Sequence, residues 1–204
     1  MKWQRSLMWI LLTAVLGVLA GAIAARMLAQ KTVALQGGTW LPEPRALPLV
    51  ALTDFNGQPF NAVALRGHPS LVFFGFSYCA DVCPATLATL REVRRLAPLA
   101  GLRVLFITVD PDRDTPAVLR QYLGGFDRGI TGLIGAPREL AKLQRALGAA
   151  AIRQALPGGG YALDHSATLY LLDTRGRLAA VFTAPLAAAT LLADLRNVAT
   201  AGVL

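Results

Sequence analysis

Two cysteines lie in Cys79-Ala-Asp-Val-Cys83-Pro84, directly after the apolar run Leu71-Val-Phe-Phe-Gly-Phe76, and the chain has no others. Paired thiolates bind soft metals and also attack disulfides. Both reactions need two sulfurs, and only this segment supplies them. Pro84 suits a first helical position, because its missing N–H would be unpaired there anyway. That makes Cys83 the expected N-cap and leaves Cys79 on the loop that follows a strand. Both sulfurs then sit at the carboxyl edge of a sheet, beside a helix N-terminus whose dipole favours thiolate over thiol. A purely structural disulfide here would close a very short loop and constrain little of the unfolded chain.

The chain has two histidines, His68 and His165. His68, in Arg66-Gly-His-Pro69, reads as an incidental turn residue. His165, in Tyr161-Ala-Leu-Asp-His-Ser166, follows the Gly-rich loop Pro157-Gly-Gly-Gly160 and precedes an apolar strand. A neutral imidazole is a suitable third ligand beside two thiolates, but nothing local places His165 near the cysteines. A structural zinc site wants four ligands, so it would also require His68 to reach the pair. The acidic segment Asp110-Pro-Asp-Arg-Asp-Thr-Pro116 reads first as turn and cap chemistry. The remaining reading is docking to a partner, or hydrogen bonding to the ligands, by Asp112 and Asp114. Arg113 sits among adjacent carboxylates, which is a poor arrangement for calcium or magnesium.

The elements that must position these residues alternate between strand and helix. Short strands are expected at 49–53 and 60–65 around the turn Asn56-Gly57. Continuous apolar runs at 70–76 and 102–109 read as strands buried on both faces. A helix over 84–96 carries the stripe Leu87, Leu90, Val93 and Leu96. Thr115 and Pro116 open a helix that ends at Gly124-Gly125. A strand at 130–134 and a helix over 136–147 follow, then a flexible loop at 157–160. Strands at 167–172 and 178–182 flank the turn Asp173-Thr-Arg-Gly176, and a helix over 185–198 closes the chain. The order predicts an α/β, thioredoxin-like domain with parallel crossovers.

The chain has 204 residues and a net charge of +8. From Ser6 to Ala25 it carries no charge, and about 20 apolar residues span a bilayer core. The expected organisation is a cytoplasmic N-terminus (1–5), a transmembrane anchor (6–28), a linker (29–47) and the domain (48–204). The competing reading is a cleaved signal peptide, with Ala22-Ile-Ala24 as the cleavage site, although the apolar run is long for one. Four of the 20 basic residues, Lys2, Arg5, Arg26 and Lys31, flank this run, which leaves 16 against 12 acids in the rest. Arg91, Arg94 and Arg95 cluster as a solvated helix face. There is no basic stripe interleaved with aromatics, so nucleic-acid binding is not expected.

Three pieces together resemble the Sco/SenC family of membrane-anchored copper proteins of cytochrome c oxidase assembly. They are Phe74-Gly-Phe-Ser-Tyr-Cys79-Ala-Asp-Val-Cys83-Pro-Ala-Thr-Leu87, Val109-Asp-Pro-Asp-Arg-Asp-Thr-Pro116 and Asp164-His-Ser166. The resemblance covers roughly 48–198 and includes the single N-terminal membrane helix. It implies a thioredoxin-like fold and copper, as Cu(I) or Cu(II), on Cys79, Cys83 and His165. It also implies cytochrome c oxidase subunit II as partner, through metallation of its dinuclear copper site or reduction of that site's cysteines. Another periplasmic copper chaperone is a further expected partner, and the expected location is the bacterial inner membrane, single-pass, with the domain in the periplasm. Asp81 and Asp164 are candidates for supporting the ligands. One departure is Ala80, where the family usually has proline; it frees a backbone N–H and loosens the loop. A metallochaperone is the leading reading. A thiol–disulfide oxidoreductase using Cys79 and Cys83 is the alternative, though such enzymes use Cys-x-x-Cys rather than this longer spacing, and a peroxide-reducing thiol enzyme is more distant still.

Overall fold

The computed structural model describes residues 2–28, 33–96, 99 and 101–202. The chain divides into two units, Met1–Thr32 and Val33–Leu204. The first is the helix α1 (Lys2–Leu28), on which Met8, Trp9, Leu11, Leu12, Val15, Leu16, Val18 and Leu19 are exposed. Among the described residues no helix is long and apolar enough to cross a membrane.

The second unit contains an eight-stranded sheet. β1 (Gly38–Arg45), β2 (Leu52–Asp54) and β3 (Pro59–Phe60) precede its centre. The centre is β4 (Ser70–Gly75), β5 (Arg103–Thr108) and β6 (Ile130–Gly135), joined by α2 (Val82–Leu96) and α3 (Pro116–Gly124). β4 pairs parallel with β5, and β5 with β6. α4 (Pro137–Leu147) follows, then a separate ribbon of β7 (Ala151–Ala155) and β8 (Tyr161–His165). β9 (Leu169–Leu172), β10 (Leu178–Phe182) and α5 (Ala188–Thr200) complete the chain. The sheet order is β1-β10-β9-β4-β5-β6-β2-β3.

The apolar runs are continuous because both sheet faces are covered. Leu71, Phe73, Val104 and Phe106 pack with the buried side chains of α2, α3 and α5. Val72, Phe74, Leu105 and Ile107 face the other way and pack with Leu140, Leu143 and Leu147 of α4. Strand alternation thus assigns neighbouring residues to two cores. Thr115 caps α3 as expected, its hydroxyl accepting from Val118 N at 3.3 Å.

Two expectations are corrected. The segment 29–47 is not a linker throughout: residues 38–45 form β1, antiparallel to β10, while 29–32 lie outside the described residues. The buried Asp194 carboxylate accepts from Gln36 N and Gly37 N, both at 2.8 Å. A Cβ at Gly38 would stand 2.5 Å from the Phe182 ring. Gly37-Gly38 therefore serves close packing rather than freedom. The loop at 157–160 is the turn of the β7–β8 ribbon, with Gly159 and Gly160 at positive φ where glycine is unstrained. The first hairpin is present but shorter than expected, because β3 is only Pro59–Phe60.

Candidate metal centre

The loop after β4 and the start of α2 build the sulfur half of the site. Cys83 is fully buried. A Cβ at Gly75 would lie 2.8 Å from Cys83 Sγ and from the Phe106 ring, so glycine at the end of β4 makes the space the sulfur occupies. Cys83 is not the N-cap: α2 begins at Val82, and the Asp81 carbonyl accepts the first helical bond from Ala85 N at 3.2 Å. Pro84 still falls among the helix-start residues whose N–H groups have no intrahelical partner. Cys83 N, another of these groups, donates to Cys79 Sγ at 3.4 Å. The Cys79 sulfur thus takes the role of a capping side chain, and it is only partly buried. Both cysteines are free thiols.

The nitrogen comes from the end of β8. His165 Nε2 lies 3.1 Å from Cys83 Sγ, and His165 Nδ1 lies 3.3 Å from the Ser166 carbonyl oxygen. A carbonyl only accepts, so Nδ1 carries the proton. Burial holds the imidazole below its ordinary pKa, with backbone hydrogen bonds to Ser166 and Phe74 and the nearby Asp164 charge opposing it. The ring is therefore neutral near pH 7, and its Nε2 lone pair faces the sulfur. Phe73 and Phe76 meet the ring edge-on, at centroid distances of 6.0 and 5.6 Å. Burial pushes the Cys83 thiol up, partly offset by a backbone hydrogen bond with Phe76. Cys83 thus remains a thiol until a cation replaces its proton.

One ligand atom from each of Cys79, Cys83 and His165 lies within 4.8 Å of the other two. Among the described residues this is the only such group of three. His68 is not in it, so a four-ligand zinc site lacks its fourth protein ligand. Two sulfurs and an imidazole suit a soft cation of low coordination number.

The acidic loop divides by burial. Asp114 is fully buried and accepts from Ser77 N at 3.2 Å, from Ser77 Oγ and from Thr108 Oγ1 at 2.6 Å. It fastens the cysteine loop to the end of β5 and cannot face a partner, which corrects the docking expectation for that residue. Asp112 is exposed and pairs with Arg153 at 3.1 Å. Asp110 is also fully buried; it accepts from Tyr161 Oη at 2.6 Å and from Arg113 Nε. Asp81 and Asp164 are exposed on the rim of the site. Sequence reasoning missed Tyr161, Ser77, Thr108 and the spacing role of Gly75. Ser77 lies inside the Phe-Ser-Tyr-Cys motif, but no local signal marks the others.

The fold and site define a thioredoxin-like α/β domain with a two-sulfur, one-imidazole site at the carboxyl edge of its parallel strands. Residues 49–200 match the SCO1/SenC family model, and the chain belongs to that family. It is 38% identical over 149 residues to a protein of Stutzerimonas stutzeri, covering 72% of this chain and 73% of that one. It is 38% identical over 131 residues to Protein SCO2, mitochondrial, of Saccharomyces cerevisiae, covering 62% of this chain but only 44% of that one. Bradyrhizobium japonicum ScoI, whose structure was solved with copper bound, is similar at a TM-score of 0.67 and 38% identity; the match covers 74% of this chain and 98% of that one.

Proposed function

We propose that this chain is a copper metallochaperone that holds its cargo, as Cu(I) or Cu(II), on Cys79, Cys83 and His165. In this reading it helps assemble the dinuclear copper site of cytochrome c oxidase subunit II. The observation that carries the reading is the convergence of the two sulfurs and the imidazole within 4.8 Å, in a member of a family that includes a copper-bound structure. The donor set fits the cargo: two soft sulfurs and a neutral nitrogen match Cu(I). Three protein ligands leave the metal open to a partner's thiolates, whereas a closed four-ligand cage would retain it. Cys79, the more exposed sulfur, is the natural point of exchange.

The N-terminal segment is proposed as a single-pass anchor in a bacterial inner membrane, with the domain in the periplasm. The support is the uncharged run from Ser6 to Ala25 and the exposed apolar side chains along α1. An oxidising compartment suits a chain that uses two cysteines as a pair.

A second reading is a thiol–disulfide oxidoreductase that keeps the cysteines of subunit II reduced. One observation favours it: both thiols are free, Cys79 partly exposed and Cys83 buried, which matches an attacking and a resolving sulfur. Retention of copper(I) against a competing chelator separates the two readings. The reduced, anaerobic full-length chain in detergent micelles should keep one equivalent, and His165→Ala should lose most of it. Equal retention by both would remove His165 from the site and favour the oxidoreductase.

A further inference from the structure

We propose that Arg113 and Tyr161 are positioning residues that hold His165 against the two sulfurs by joining the histidine ribbon to the cysteine loop. The inference rests on the three-ligand reading above. The ribbon needs such a tie, because β7 and β8 hydrogen-bond to one another as a sheet of two and not to the eight-stranded sheet.

Side-chain alternation puts Tyr161 and His165, four residues apart on β8, on the same face of the ribbon. Their cross-strand partners are Ala155 and Ala151, and Arg153 faces Leu163 between them. Arg153 is therefore a diagonal neighbour of Tyr161, and its guanidinium lies 3.8 Å from the Tyr161 ring centroid. The Arg113 guanidinium lies 3.9 Å from the same centroid. Two cations thus contact one aromatic ring, and each is paired with a carboxylate of the acidic loop: Arg113 with Asp110 and Arg153 with Asp112.

Arg113 reaches both halves of the site. Its guanidinium lies 5.1 Å from the Tyr78 ring and 5.7 Å from the Phe76 ring, both on the cysteine loop. Its Nη1 donates to the Tyr161 carbonyl on the ribbon at 3.2 Å. The Tyr161 hydroxyl donates to the buried Asp110 carboxylate at 2.6 Å. A planar guanidinium can stack and donate along its edge at once, which an ammonium cannot reproduce. One side chain of the acidic loop thereby fixes the spacing between the residues that carry sulfur and those that carry nitrogen.

The test uses Arg113→Lys and Tyr161→Phe, each in wild-type and His165→Ala backgrounds, in the full-length chain in detergent micelles. Tyr161→Phe keeps the ring and serves as the fold-preserving variant should Arg113→Lys not fold. Two readouts are taken: copper(I) affinity against a chelator, and the imidazole nitrogen and proton shifts of His165 in the apoprotein. Removing groups that orient a metal ligand typically costs about 10-fold to 100-fold in affinity, so each variant should lose about tenfold. That loss should vanish in the His165→Ala background, because the two residues act through the imidazole. Unchanged affinity in both variants, or a loss that persists without His165, would overturn the inference. Should wild type and His165→Ala bind copper equally, the three-ligand reading fails by itself, and the apoprotein shifts then decide. Displaced His165 resonances in the variants would support the positioning role, and unmoved resonances would overturn it.

Discussion

Cys83 and His165 meet at 3.1 Å from very different foundations. Cys83 lies in the first turn of α2, in a core cluster with Phe73, Leu87, Leu90 and Phe106, all fully buried. His165 ends a ribbon in which Arg153, Gln154, Ala155, Ala162 and Asp164 are exposed. Each buried Leu or Phe contributes about 2 kcal/mol to holding the sulfur side in place. The ribbon relies on a few polar contacts; a guanidinium stacked on a partly exposed ring adds about 1 kcal/mol, and an exposed ion pair such as Arg153–Asp112 adds little because water screens it. The comparison teaches that the sulfur half of the site is part of the fold, whereas the nitrogen half is an attachment to it. That division suits the proposed metallochaperone role, since the imidazole is able to yield without disturbing the core.

The largest test of this division is on the sulfur side. Asp114→Ala should lower the unfolding free energy by about 3 kcal/mol, because it removes the acceptor of the buried Thr108 Oγ1 and of the partly buried Ser77 N–H and Oγ. Chemical denaturation of the apoprotein measures this, and a loss below that of Tyr161→Phe would break the comparison. Tyr161→Phe should cost only about 1 kcal/mol of stability while lowering copper affinity as described above. A smaller effect, visible only as a difference between proteins, lies in pH dependence. The His165 pKa is lowered in the fold, so the unfolded chain binds the extra proton first, and stability falls as pH drops below about 6.5, the ordinary histidine value. The Cys83 pKa is raised, so the unfolded chain loses its proton first, and stability falls as pH rises above about 9, near the ordinary thiol value. His165→Ala should flatten the acid limb relative to wild type, and Cys83→Ser the alkaline limb. Unchanged limbs would mean that neither group is as buried as its packing implies.

Much of this was legible in the sequence because the central elements are local. The runs at 70–76 and 102–109, the Thr115-Pro116 cap and the Asp173–Gly176 turn each state their conformation within a few residues. β1 was not legible, since Gly37-Gly38 reads as freedom until Asp194 and Phe182, more than 140 positions away, are brought beside it. The β7–β8 ribbon was hidden for a related reason: its Gly-rich turn looks like a loop, and its strands gain no second sheet neighbour. At the site, the cysteine pair announced itself by spacing. His165 rested on family resemblance, because its approach to Cys83 joins residues 82 positions apart. The division of the acidic loop into buried Asp110 and Asp114 and exposed Asp112 depends on tertiary packing that an Asp-Pro turn does not encode.

X-ray absorption at the copper K edge tests the central claim most directly, on the reduced full-length chain loaded with one equivalent of copper(I). The account predicts two sulfur scatterers and one nitrogen scatterer, with the nitrogen and its imidazole multiple-scattering pattern absent in His165→Ala. Two sulfurs with no imidazole signal in the wild type would contradict it, because Cys79 and Cys83 would then bind without the ribbon.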